Sequence, residues 1–306
     1  MISSLTFRQP LGSRLLLFCL AALVALIVTA ALLGAIGVDP TARSLRLLTT
    51  LQDILLFIVP PVVTAVIVTN RPADLLAISH GFAPGMLLKL VLLFASMMPL
   101  LNLLVSWNAS LSLPASLSGV EEWMRAAETA AAAQTDLMLS GTSVGVLIVN
   151  LLIVAVLAGV SEELFFRAGL QRLLTTGGVN RHVAVWLTAA VFSAFHLQFF
   201  GFFPRLLLGA LFGYLLVASG SVWLSVSAHV LNNAIVVVAF WRHSVAAAAD
   251  GSGPASIADI PQPDIINPSG STWGYVISAM LTAIFLLSIF RPHKPSTTTT
   301  TTTTTK

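Results

Sequence analysis

The chain has 306 residues, of which 57% are hydrophobic and only 9% charged, against roughly 25% charged in an ordinary soluble domain. Near-continuous apolar runs leave no room for a separate globular unit, so the composition excludes a soluble multidomain enzyme and implies one polytopic membrane domain. The net charge of +3 sits in short loops and tails with no long basic run, which excludes nucleic acid as a partner and suits lipid headgroups.

Arg8 and Arg14 precede an apolar stretch from Leu15 to about Ile36. That stretch is longer than the roughly 7–15 residues of a signal-peptide core, so it is read as the first transmembrane helix, with residues 1–14 as a cytoplasmic N-terminus. Cys19 lies inside it as the single cysteine, with no disulfide partner and no Cys-rich metal site. At about 20 apolar residues per crossing, the pattern predicts an all-α protein of about eight transmembrane helices enclosing an intramembrane polar cavity. The spans fall near 15–37, 47–69, 85–107, 146–172, 183–200, 203–218, 221–241 and 273–290. Residues 15–290 form one membrane domain on this reading, with a core at about 144–241.

Pro60, Pro61 and Pro99 predict kinks in the second and third spans, and Lys89 is expected to snorkel to the interface. The 108–143 connection carries Glu121, Glu122, Glu128 and Asp136 against Arg125, and its 119–135 stretch suits an interfacial helix. The 242–272 connection is also acidic, with Asp250, Asp259 and Asp264 against Arg242, and its 251–271 stretch reads as a mobile loop. Arg172, Arg181, Arg291, Lys294 and Lys306 make the intervening connection and the C-terminal tail basic. The positive-inside rule therefore places both termini in the cytoplasm, with Arg43 and Arg46 as the discordant pair. Gly209 and Gly213 form a GxxxG that suits close helix packing, and the Thr-rich 291–306 segment reads as a disordered tail.

Against this apolar background, Glu162, Glu163, Arg167, His196, His229 and Asn233 stand on three separate hydrophobic segments. An ionised group near the bilayer centre costs roughly 2.5–3.5 kcal/mol, so such a cluster must pair or line a wet cavity. Counted along their helices at 1.5 Å per residue, Glu162 and His196 lie about 18–20 Å deep, and His229 and Asn233 roughly 12–18 Å, which is compatible with one site. Glu163 and Arg167 share a helix face and can pair, leaving Glu162 turned toward a cavity; His229 and Asn233 project together, and Phe192 stands one turn before His196. A carboxylate beside an imidazole can move a proton from water to a leaving group. A second imidazole with a carboxamide offers donors to an oxyanion. Glu162, His196 and His229 could alternatively bind zinc as a His2Glu set.

The runs Glu162-Glu163-Leu164-Phe165-Phe166-Arg167, Phe192-Ser193-Ala194-Phe195-His196 and His229-Val230-Leu231-Asn232-Asn233 match EExxxR, FxxxH and HxxxN in order. They resemble the three motifs of the CPBP (Abi) intramembrane proteases, a family that includes type II CAAX prenyl endopeptidases and bacteriocin-immunity relatives. The resemblance implies a helical membrane protease with a cavity open to the cytoplasm and a membrane-associated, for one branch prenylated, peptide substrate. It implies Glu162 as the base acting on water with His196 as its partner, His229 and Asn233 as the oxyanion-stabilising pair, and Glu163 and Arg167 as orienting residues. Two rivals stand beside it. One is a non-catalytic scaffold or immunity protein of the same fold. The other is a proton-relaying transporter, for which the matched halves of an inverted repeat are not seen.

Overall fold

The computed structural model describes residues 5–7, 9–36, 41–257 and 270–290. The Thr-rich tail and most of the expected mobile loop, with Asp259, Asp264 and the tail cations, lie outside these residues. The described residues are helical, with one isolated bridge between Phe7 and Thr69 and no sheet. We number the helices α1 (Leu11–Ile36), α2 (Ala42–Val68), α3 (Pro84–Ala109), α4 (Ser118–Leu139), α5 (Val144–Thr176), α6 (Arg181–Phe195), α7 (Phe202–Ser219), α8 (Val222–Asp250) and α9 (Thr272–Phe290). Among the described residues, seven helices are long and apolar enough to cross a membrane: α1, α2, α3, α5, α7, α8 and α9.

The fifth expected span departs from the reading above. It is the 15-residue helix α6, about 22 Å long at 1.5 Å per residue, short of a hydrocarbon core of about 30 Å. It stops because His196 caps it and Leu197 takes a left-handed φ of 51°, a conformation that L residues adopt only singly and that cannot propagate a helix. The chain then turns through residues 197–201 and returns antiparallel as α7. Gly209 and Gly213 bring that hairpin together: a Cβ on Gly213 would lie 3.0 Å from the Val185 side chain, and one on Gly209 3.2 Å from Ala189.

Helices α2 and α5 are interrupted by π-helical turns at Asp53–Ile58, Leu151–Leu157 and Leu164–Gln171. The irregularity expected at Pro60 and Pro61 lies just before them, in the Asp53–Ile58 turn, because prolines at the start of a helical segment remove donors that the preceding turn would otherwise satisfy. π-turns widen the backbone and concentrate at functional sites, and here the Leu164–Gln171 turn contains Arg167 of the EExxxR run. Helices α5 and α8 approach closely at Gly159, where a Cβ would meet the Val230 side chain at 2.9 Å. That contact brings Glu162 and Glu163 alongside His229.

Two cations take defined partners. Arg46 donates from Nε to Asn150 Oδ1 at 2.8 Å and from Nη2 to the Ser140 carbonyl at 3.1 Å. It ties α2 to the α4–α5 connection, which gives the discordant charge a structural use. Lys89, half-buried near the start of α3, donates to the Ser288 carbonyl at 3.2 Å near the end of α9, a favourable place for a cation at a helix C-terminus. The 119–135 stretch is helical as part of α4. Its Glu121 accepts from Leu113 N (2.7 Å) and Arg125 Nε (2.9 Å), and Asp136 accepts from Ser256 Oγ and Ile257 N.

Candidate active site

The EExxxR segment lies on α5, and its two glutamates have opposite surroundings. Glu163 and Arg167 are paired, as their spacing predicts, at 2.8 Å, with both side chains fully buried. Glu163 Oε1 also accepts from His229 Nδ1 at 2.9 Å. Arg167 Nη2 donates to the Gly209 carbonyl at 3.0 Å, and its guanidinium lies 4.5 Å from the Phe192 ring centroid and 5.3 Å from that of Phe212. A cation held against ring faces and a carbonyl recovers part of what it loses on leaving water, although Arg167 Nε is without a hydrogen-bond partner. One turn on, Gln171 Nε2 donates to the Gly213 carbonyl at 3.0 Å. The GxxxG is therefore more than a packing motif, because its two carbonyls receive the side chains of Arg167 and Gln171.

This arrangement fixes His229. With Nδ1 engaged by Glu163, Nε2 points the other way, because a partner on one ring nitrogen fixes the orientation of the other. Nε2 stands 3.7 Å from Glu162 Oε2. The ring stacks on Phe212 with centroids 5.0 Å apart and meets Phe192 edge-on. Glu162 itself has no close polar partner: its side chain is 17% exposed, and Oε2 is buried without a hydrogen bond.

His196 sits where α6 ends and is exposed. Its Nδ1 bonds the Phe192 carbonyl at 2.9 Å, which leaves Nε2 unengaged, and it lies within electrostatic reach of Glu162 and His229. Phe192 thus touches His196, His229 and Arg167 at once, so the FxxxH phenylalanine joins the three motifs physically. Asn233 is placed differently from the other motif residues. Its Nδ2 donates to the Val154 carbonyl at 3.0 Å in the π-turn of α5, and its Oδ1 accepts from Asn232.

Among the described residues, no three His, Cys, Asp or Glu side chains are gathered as a metal-ligand group. The Glu162, His196 and His229 side chains are not gathered as such a group. A cavity of about 1000 Å³ opens at the Arg181 end of α6, lined by Phe82, Arg181, His182 and Tyr214 among others. It contains none of the motif residues, so we place the chemistry on the side-chain cluster and not on that cavity.

Three further residues enter the site that the sequence reading passed over. Asp53, on the π-turn of α2, is 3% exposed and lies within electrostatic reach of Glu162. An isolated acid in an apolar run was the signal for it. Arg205 on α7 is within reach of Glu162 and Glu128 and hydrogen-bonds Gln198. Glu128 on α4 accepts from Phe200 N at 2.6 Å, while Arg125 covers the Phe200 ring at 4.0 Å. Helix α4 thereby braces the turn that follows His196. No linear pattern announces Arg205 or Glu128, because both act across helices.

The fold and this cluster together define a polytopic helical membrane protein with a buried glutamate–histidine centre. The family model for type II CAAX prenyl endopeptidases, Rce1-like, matches residues 144–235, from the start of α5 into α8, and includes all three motifs. Over that segment the chain is similar to the type II CAAX prenyl endopeptidases, the resemblance that the motifs carry. Comparison with curated proteins gave no match, and comparison with solved structures gave none.

Proposed function

We propose that the protein is an intramembrane endopeptidase that hydrolyses a peptide bond of a membrane-associated substrate, a CaaX-type prenylated chain being one class. The observation that carries this reading is Glu162 Oε2 facing His229 Nε2 at 3.7 Å, with His229 held from behind by Glu163 at 2.9 Å. A carboxylate without a close polar partner, beside an imidazole whose orientation is fixed, is what general-base hydrolysis requires. Glu162 takes a proton from water as the water oxygen bonds the carbonyl carbon. The tetrahedral intermediate then collapses as that proton passes to the amide nitrogen. The C–N bond breaks, giving one new carboxylate and one new amine. His229 is the nearer imidazole to Glu162 and relays the proton. His196 Nε2, at the open end of the cluster, serves the substrate side. Asn233 braces α5 through Val154 and keeps one amide hydrogen for the oxyanion.

With both termini cytoplasmic, the Arg172–Arg181 connection faces the cytoplasm and α4 faces outside, an orientation that rests on the distribution of basic residues. The test of function is comparative peptidomics of membranes carrying wild type or Glu162→Gln at equal levels, each with and without a zinc chelator. New peptides or C-termini confined to wild type support the protease and define its substrate. Equal peptide sets shift the reading to a non-catalytic scaffold or immunity protein. Loss of cleavage under the chelator introduces a metal.

A further inference from the structure

Asp53 is a buried acid with no use in the mechanism above. It lies in a membrane-spanning helix and forms no ion pair among the described residues; its Oδ2 is buried without a hydrogen-bond partner. Its one polar neighbour of note is the Ser161 hydroxyl, next in sequence to Glu162. That hydroxyl has a single hydrogen and stands 3.1 Å from the Ala158 carbonyl, so it cannot serve both acceptors. A carboxylate left in this state costs several kcal/mol in hydrocarbon, and a like charge on Glu162 raises the cost. Unsatisfied buried groups of this kind are retained where chemistry needs them.

The Asp53–Ile58 turn of α2 packs against the 158–163 stretch of α5, and Asp53 Oδ2, Glu162 Oε2 and Glu163 Oε2 are all buried without a hydrogen-bond partner. Asp53 and Glu162, two carboxylates on packed segments that each lack a donor, fit a small molecule that carries two donor hydrogens, which is the chemistry of water. We propose that Asp53 is a positioning residue of the hydrolytic site, its carboxylate and that of Glu162 together holding the attacking water. The inference deepens the protease reading and rests on it. It also extends the site to α2, outside the 144–235 family match.

The test pairs rate with stability. Asp53→Asn keeps the shape and gives Glu162 an N–H donor; Asp53→Ala removes the group and serves as the second variant if the amide fails to insert. Both are purified as full chains in detergent beside wild type and Glu162→Gln. Each is assayed on a synthetic peptide spanning the cleavage site mapped by peptidomics, and unfolded thermally. The expected result is a fall in kcat of about 10²-fold, the size of effect that mispositioning of a reactant produces, with KM unchanged and Tm unchanged or raised. A kcat equal to wild type in either variant overturns the inference. So does a lower Tm accompanying the loss, because a structural acid would behave in that way. If Glu162→Gln cleaves normally, or wild type releases nothing, the protease reading fails first and Asp53 loses its role with it. If Glu162→Gln is inactive while Asp53→Asn is not, only the present inference fails.

Discussion

Glu162 and Glu163 are neighbours on one helix, and the protein treats them in opposite ways. Glu163 is fully buried, and its Oε1 is compensated by a guanidinium at 2.8 Å and an imidazole at 2.9 Å, while its Oε2 is without a hydrogen-bond partner. Glu162 has only the Nε2 of His229 at 3.7 Å, a second acid nearby and a partly open side chain. The contrast separates construction from chemistry. A compensated charge fixes geometry, and an uncompensated one beside it is available to react.

Variants can break or sharpen that contrast. The largest expected effect is Glu162→Gln, which should remove about 10²–10⁴-fold of the proteolytic rate with no loss of inserted protein, read as product per unit of folded enzyme. Arg167→Ala acts on the other glutamate. It leaves the buried Glu163 carboxylate uncompensated, a loss of about 3–5 kcal/mol, and should appear as failure to accumulate or a lowered Tm. A stable, well-folded Arg167→Ala protein would refute the division of labour. Gly213→Leu should cost about 1–3 kcal/mol by overpacking and by blocking the Gln171 contact, where a Cβ would lie 2.7 Å from Gln171 Oε1. Its cleavage should fall only as far as the folded fraction falls.

The smallest effect concerns α4. The Leu113 amide, and then Arg125, hold the Glu121 carboxyl below the usual carboxylate range. A depressed acid contributes stability above its unfolded value of about 4.3 and loses it as pH falls through the folded value. Protection of the amides at the start of α4, measured as the exchange rate relative to the intrinsic rate at each pH, should therefore fall under acid in wild type. In Glu121→Gln it should be already low at neutral pH and insensitive to acid. A pH-independent protection in wild type would show that the Glu121 contacts do not hold the helix end.

The comparison also shows which parts of the molecule were legible from one dimension. The Glu163–Arg167 pair follows from helical spacing, because its partners share a face, and the three motifs were readable as residues that hydrocarbon would reject. The partner of His229 was not readable. Sequence spacing joined His229 to Asn233, whereas the structure gives His229 to Glu163 and Asn233 to Val154. Asp53 stands out as an acid in an apolar run, but nothing in that run ties it to the motifs, and Gln171 finds its partner in a carbonyl that no residue type reveals. Hydropathy counted residues 183–200 as a span because it measures polarity; the left-handed Leu197 that ends α6 is a backbone property.

The brevity of α6 has a consequence for the lipid. Val183, Trp186, Leu187 and Phe195 on that helix are exposed, so acyl chains meet a wall about 22 Å tall where neighbouring helices offer a full crossing. The bilayer must thin locally or the hairpin must tilt, each at fractions of a kcal/mol per Å of mismatch. Because His196 lies at the end of that short wall, acyl-chain length becomes a variable of the reaction: thin bilayers bring the headgroup region toward the glutamate–histidine centre, and thick ones bury it.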